Sequence, residues 1–93
     1  MGVKVGDVVE IETFWGSKEP DGEVSQEECY WKLIGKRGEV VDIRDAHPAF
    51  AQKGPQVLVR FFEDIGLLGL EVHNEVENGL WFFVDDVRVI KSV

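Results

Sequence analysis

A chain of 93 residues with 44% hydrophobic and 30% charged side chains has the composition of one globular domain, without room for a second core. Eighteen acidic residues against ten basic ones give a formal net charge of -8, a field that repels phosphate backbones and anionic lipid and draws basic partners inward. A single cysteine, Cys29, excludes an internal disulfide and every Cys-x-x-Cys metal or redox motif, and fits a reducing compartment.

The chain opens directly on a strand pattern with no apolar leader, and no run nears the ~18 apolar residues of a membrane span. A soluble cytoplasmic protein is expected. In the first pattern, "VKVGDVVEIET" (residues 3–13), Val9, Ile11 and Thr13 share one face, and Val8, Glu10 and Glu12 the other. Gly6-Asp7 interrupts the alternation and suits a turn or bulge. Residues 14–28, "FWGSKEPDGEVSQEE", form a polar loop with a Pro-Asp-Gly turn. "CYWKLIG" (29–35) is an extended approach or one helical turn closing on Gly35.

Gly35 and Gly38 then bracket Lys36-Arg37 as a tight turn would. The strand "EVVDI" (39–43) places Val41 and Ile43 inward, Val40 and Asp42 outward. A second loop, "RDAHPAFAQKGP", stops on Gly-Pro before "QVLVRFF" (56–62), which is apolar on both faces except at Arg60. Such a strand lies mid-sheet or has a loop across its back. Residues 63–79 hold a short helix or an extra strand, and Leu67, Leu68 and Leu70 are too apolar for a free loop. "LWFFV" (80–84) follows, and the Asp85-Asp86-Val87 step suits a 3₁₀ turn before the last strand. Recurrent short strands with no long 3.6-residue period predict an all-β fold: a small SH3-like five-stranded barrel. It has a long first loop, an extra segment before the last two strands, and a single domain over 1–93.

The succession "VGDVVEI", "YW", "GKRGEVVDI", "PQVLVRF" and "VDDVRVI" resembles the SH3-like barrels of the electron-transport accessory group. That group includes photosystem I subunit IV, the variable chain of ferredoxin–thioredoxin reductase and the barrel domain of the nitrile hydratase β subunit. Gly35, Lys36, Arg37, Gly38 and Val40, with Pro55 to Phe61, match the nitrile hydratase pattern. Tyr30-Trp31 and Val59-Arg60-Phe61 are similar to the photosystem subunit. The nitrile hydratase subunit's large helical portion is absent here, and residues 63–79 read as an insertion. The resemblance implies a non-catalytic module docked on a larger protein.

No catalytic constellation stands out, and no cofactor or metal is expected. Ser17, Ser25 and Ser92 lack a nucleophile elbow. Cys29 follows Glu27 and Glu28 rather than basic residues, the wrong setting for a reactive thiolate. Glu71, His73 and Glu75, with His47, read as a solvated face. The candidate partner-binding residues are the acids Glu19, Asp21, Glu23, Glu27 and Glu28 with the aromatics Trp15, Trp31 and Trp81, since rings in a charged surround anchor interfaces. Trp81 and Phe83 cannot share a side with Phe82, so one side is covered by residues 63–79 or left partly exposed. Three roles follow in order. The first is a protein-binding accessory module. The second is a small acidic inhibitor or immunity-type protein against a basic enzyme. The third is nucleic-acid binding through the Gly35–Gly38 turn, disfavoured by the net charge. The oligomeric state stays open.

Overall fold

The computed structural model describes residues 2–20, 22–25, 29–46, 48–70 and 77–92. Five strands, β1 (Val8–Ile11), β2 (Arg37–Arg44), β3 (Gln56–Phe61), β4 (Gly79–Phe83) and β5 (Val87–Lys91), make one antiparallel sheet in the order β4-β3-β2-β1-β5. The all-β expectation holds. Among the described residues, the helical elements between the strands are short 3₁₀ turns, over Tyr30–Leu33, Pro48–Lys53, Ile65–Leu68 and Val84–Asp86. The first settles "CYWKLIG" as a helical turn, and the last matches the expected step before the final strand.

The two edge strands are consecutive in the chain, joined by Val84–Asp86 alone. Four residue steps from Phe83 to Val87 span at most about 14 Å. The edges of a flat five-stranded sheet lie about 19 Å apart at ~4.8 Å per gap. The sheet therefore curls, and the end of β4 approaches the start of β5. The hydrogen-bonded ladder stays open, because no pairing joins β4 to β5 among the described residues.

Val9, Ile11, Leu33, Val40, Val57, Val59, Ile65 and Phe82 are almost wholly buried on the inner face. β1 alternates as its sequence predicts. β2 does not. Val40 is buried and Val41 only half-buried, because the β2–β3 register shifts between Val40 and Asp42, leaving Val41 as the extra residue. A bulge reverses the phase of everything beyond it, which is why Ile43 still packs against the core.

The predicted turn at Gly35–Gly38 is also displaced. Gly35, at φ 87°, makes the turn with Ile34, whereas Arg37 and Gly38 already lie in β2. Gly38 serves close strand contact instead: a Cβ there would sit 2.5 Å from the Arg60 carbonyl oxygen and 2.6 Å from Val59 Cγ1. Lys36 and Arg37 are not projected at a tip. Lys36 pairs with Glu63 at 3.0 Å, and Arg37 with Glu10 at 3.0 Å.

Glu10 is shared, since Arg88 donates to its second oxygen at 3.0 Å. The hydrogen bond from Arg88, then that from Arg37, hold its carboxyl below the usual glutamate range. A depressed folded-state pKa stabilises above the unfolded value, and the benefit is lost as pH falls through the folded value. Glu10→Gln is therefore expected to be less stable than the parent at pH 7, with the gap closing below pH 4.5, the ordinary glutamate value. Urea midpoints across that range check this.

After β3, Ile65 and Leu70 turn inward and Leu68 packs against the core, whereas Leu67 is 84% exposed. Asn78, at φ 62°, ties this segment down. Its amide donates to the carbonyls of Phe61 and Glu63, and its oxygen accepts from Ile65 N–H at 2.9 Å. Residues 71–76 lie outside the described residues, as does His47.

Candidate functional site

Two aromatics in a row at 14–15 cannot both enter one core from an extended chain. The backbone separates them. Trp15 adopts φ 53° and Gly16 φ 80°, a left-handed pair closed by the Phe14–Ser17 bridge. Phe14 turns inward, its ring 5.8 Å from Phe82, 5.5 Å from Tyr30 and 4.9 Å from Trp31. Trp15 turns outward, edge-on to Phe83 at 5.0 Å and still 42% exposed.

A left-handed tryptophan is strained by about 1–3 kcal/mol and persists only where its surroundings hold it. Asp86 holds it. This carboxylate is 2% exposed; it accepts from Thr13 Oγ1 at 2.5 Å, Gly16 N–H at 3.0 Å and Trp15 N–H at 3.1 Å. Its own carbonyl accepts from the Glu12 and Thr13 amides. One residue of the turn between β4 and β5 thus sets the entire course of the chain leaving β1.

The outer face of the sheet carries a second apolar group, separate from the core. Phe83 lies opposite Gln56, and Trp81 opposite Leu58, on alternate positions of β4 that face away from Phe82. Leu58 and Phe83 are buried there, although neither belongs to the main core cluster. Arg44 lies over the Trp81 ring at 4.1 Å and donates to Gln56 Oε1 at 2.7 Å. The Lys53 ammonium stands over Trp15 at 5.3 Å and over Phe83 at 5.7 Å. Each such cation–ring contact contributes about 0.5–1 kcal/mol at an exposed site. Trp15, Gly16, Arg44 and Lys53 therefore flank the Trp81–Phe83 side, which stays partly exposed at Trp15 and Trp81, the second of the two outcomes the sequence allows. The 65–70 segment joins the opposite, inner face.

Beside Trp15 lies a hollow of about 240 Å³ lined by Gly16, Gln52, Lys53, Phe83, Asp85 and Asp86. Its lining combines one ring, Phe83, with a lysine, a glutamine and two aspartates. Among the described residues, no three or more of His, Cys, Asp and Glu cluster where they could hold a metal ion.

The sequence-predicted site residues divide accordingly. Trp15 and Trp81 reach the outer face. Trp31 belongs to the inner side, where its indole N–H donates to Ser17 Oγ at 3.3 Å and its ring meets Phe14. Glu19 and Glu23 are exposed on the first loop and form no ion pair among the described residues. Asp21, Glu27 and Glu28 lie outside the described residues. Phe83, Lys53, Arg44 and Asp86 were not singled out; for Phe83, the two-residue alternation with Trp81 carries the signal. No helix among the described residues is long and apolar enough to cross a membrane. Compared with protein-family models, with curated proteins and with solved structures, the chain matches none.

Proposed function

We propose that the chain is a non-catalytic binding module that holds a protein partner on the outer face of β4, centred on Trp15. The observation that carries this is the half-exposed Trp15 ring, kept in a strained left-handed conformation by the buried Asp86 carboxylate. A fold stores strain at a surface ring where that ring has work to do, and tryptophan is among the residues that dominate interface energies. The accessory role implied by the resemblance to the electron-transport barrels is consistent with this face.

In this reading, Trp15→Ala weakens partner binding by about 10- to 30-fold, the loss at a hot-spot residue, and shifts the melting temperature little. Partner affinity by surface plasmon resonance, alongside thermal unfolding, checks both halves. Unchanged affinity removes Trp15 from the interface.

The acidic-inhibitor reading has its own support in Glu19 and Glu23, exposed and unpaired among the described residues. It demands steep loss of affinity with salt and on Glu19→Gln with Glu23→Gln. In the Trp15 reading, Glu19→Gln with Glu23→Gln leaves affinity nearly unchanged, whereas Trp15→Ala lowers it. Phosphate contact through Lys36 and Arg37 is the weakest alternative, since both are paired with carboxylates in a chain of net charge -8.

A further inference from the structure

A cation borders the hollow beside Trp15. Lys53 closes the 3₁₀ turn Pro48–Lys53, and its ammonium rests between two rings that meet at 85°. Asp85 and Asp86 line the same hollow. Lys53 forms no ion pair among the described residues, and its ammonium stands over the two rings. A cation held by ring faces alone at a half-exposed site is weakly held.

We infer that this hollow is a site for a lysine side chain and that Lys53 is its resident occupant. A lysine of a basic protein partner displaces Lys53 and lies between Trp15 and Phe83, with its ammonium toward Asp85. The inference rests on the outer-face reading above and names the group the partner presents. Three observations fix the class. The lining sets the Phe83 ring beside the exposed Asp85, with the Trp15 ring edge-on to Phe83, and a ring and a carboxylate together attract a cation with an apolar stem. The surface field of a chain with net charge -8 favours a cationic visitor. The side chain that stands over both rings is itself a lysine.

Displacement means that the incoming lysine competes with a weak internal contact. Removing that contact is expected to tighten binding by about 2- to 5-fold, the ratio that 0.5–1 kcal/mol represents. The test is an NMR titration of the tryptophan indole N–H signals with acetyl-Gly-Lys-Gly-amide, and with the same peptide carrying norleucine. The proteins are the parent, Lys53→Ala, Lys53→Gln, and Lys53→Ala combined with Trp15→Ala. The expected result is saturable binding of the lysine peptide alone, tighter in both Lys53 variants and lost in the double variant. Equal response to the two peptides, or equal affinity in the parent and both single variants, overturns the inference. If that happens while Trp15→Ala still lowers partner affinity, the lysine site falls and the outer-face reading stands. If the lysine peptide binds as expected and Trp15→Ala leaves partner affinity unchanged, the outer-face reading falls instead.

Discussion

Asp86→Ala is expected to lower the folding stability by about 3 kcal/mol, a large part of the 5–15 kcal/mol available to a small domain. Alanine removes the acceptor of the Thr13 hydroxyl and of the Trp15 and Gly16 amides together. Each donor left without a partner costs about 1–3 kcal/mol when buried. These are only partly buried and regain some hydration, so the sum falls toward the low end. The left-handed Trp15 then loses the acceptor of its own amide, and the 14–17 turn loosens. Asp86→Asn keeps a carbonyl oxygen as acceptor and is expected to lose about half as much. Urea denaturation gives the stabilities, and hydrogen exchange at the Trp15 and Gly16 amides reports the turn. Protection at those amides unchanged in Asp86→Ala contradicts the assignment. A scaffold role for Asp86 also predicts that its loss and the loss of Trp15 weaken partner binding to the same degree.

The second large effect is expected at Gly38→Ala, a loss of about 1–3 kcal/mol or more from overpacking. The added methyl meets the Arg60 carbonyl oxygen at 2.5 Å, and that oxygen belongs to the backbone of β3. No rotamer change relieves such a clash. The β2 and β3 backbones must separate near Glu39 and Arg60, which the present register places opposite each other and which pair at 3.0 Å. Gly35→Ala offers the contrast, because nothing lies within 4 Å of a Cβ there and only the positive φ of 87° is penalised. Calorimetric melting of the two variants separates collision from backbone strain: Gly38→Ala is expected to melt lower. Equal melting temperatures would argue against a close approach at Gly38.

What the sequence discloses about this fold follows the range of each interaction. β1 is legible because Val9 and Ile11 obey a two-residue period that needs no knowledge of their neighbours. β2 misleads at Val41, because "EVVDI" alternates equally well in either phase and the bulge that decides between them forms only against β3. The same is true of Gly38, whose reason to be glycine stands across the sheet at Arg60 rather than in its own turn. Around the candidate site, Trp15 and Trp81 are legible as large rings in polar surroundings. The split between Phe14 and Trp15 is not, for it depends on a carboxylate more than seventy positions away. Trp31 shows the limit of composition: the same residue type in an equally charged neighbourhood fills the inner side. Lys53 and Arg44 give no local sign, being single cations in or beside a loop whose partners are rings distant in sequence.

The pairing of β1 with β5 brings Val8 opposite Lys91 and Ile11 opposite Val87. Nearly the full length of polypeptide separates those partners, so this ladder is the last that a chain made from its amino end can complete. Until then β1 has only β2 beside it, and Thr13, Trp15 and Gly16 await an anchor not yet synthesised. Contacts so distant in sequence raise the contact order, which goes with slower folding. The turn at Trp15 is consequently anchored by a residue that is made more than seventy positions after it.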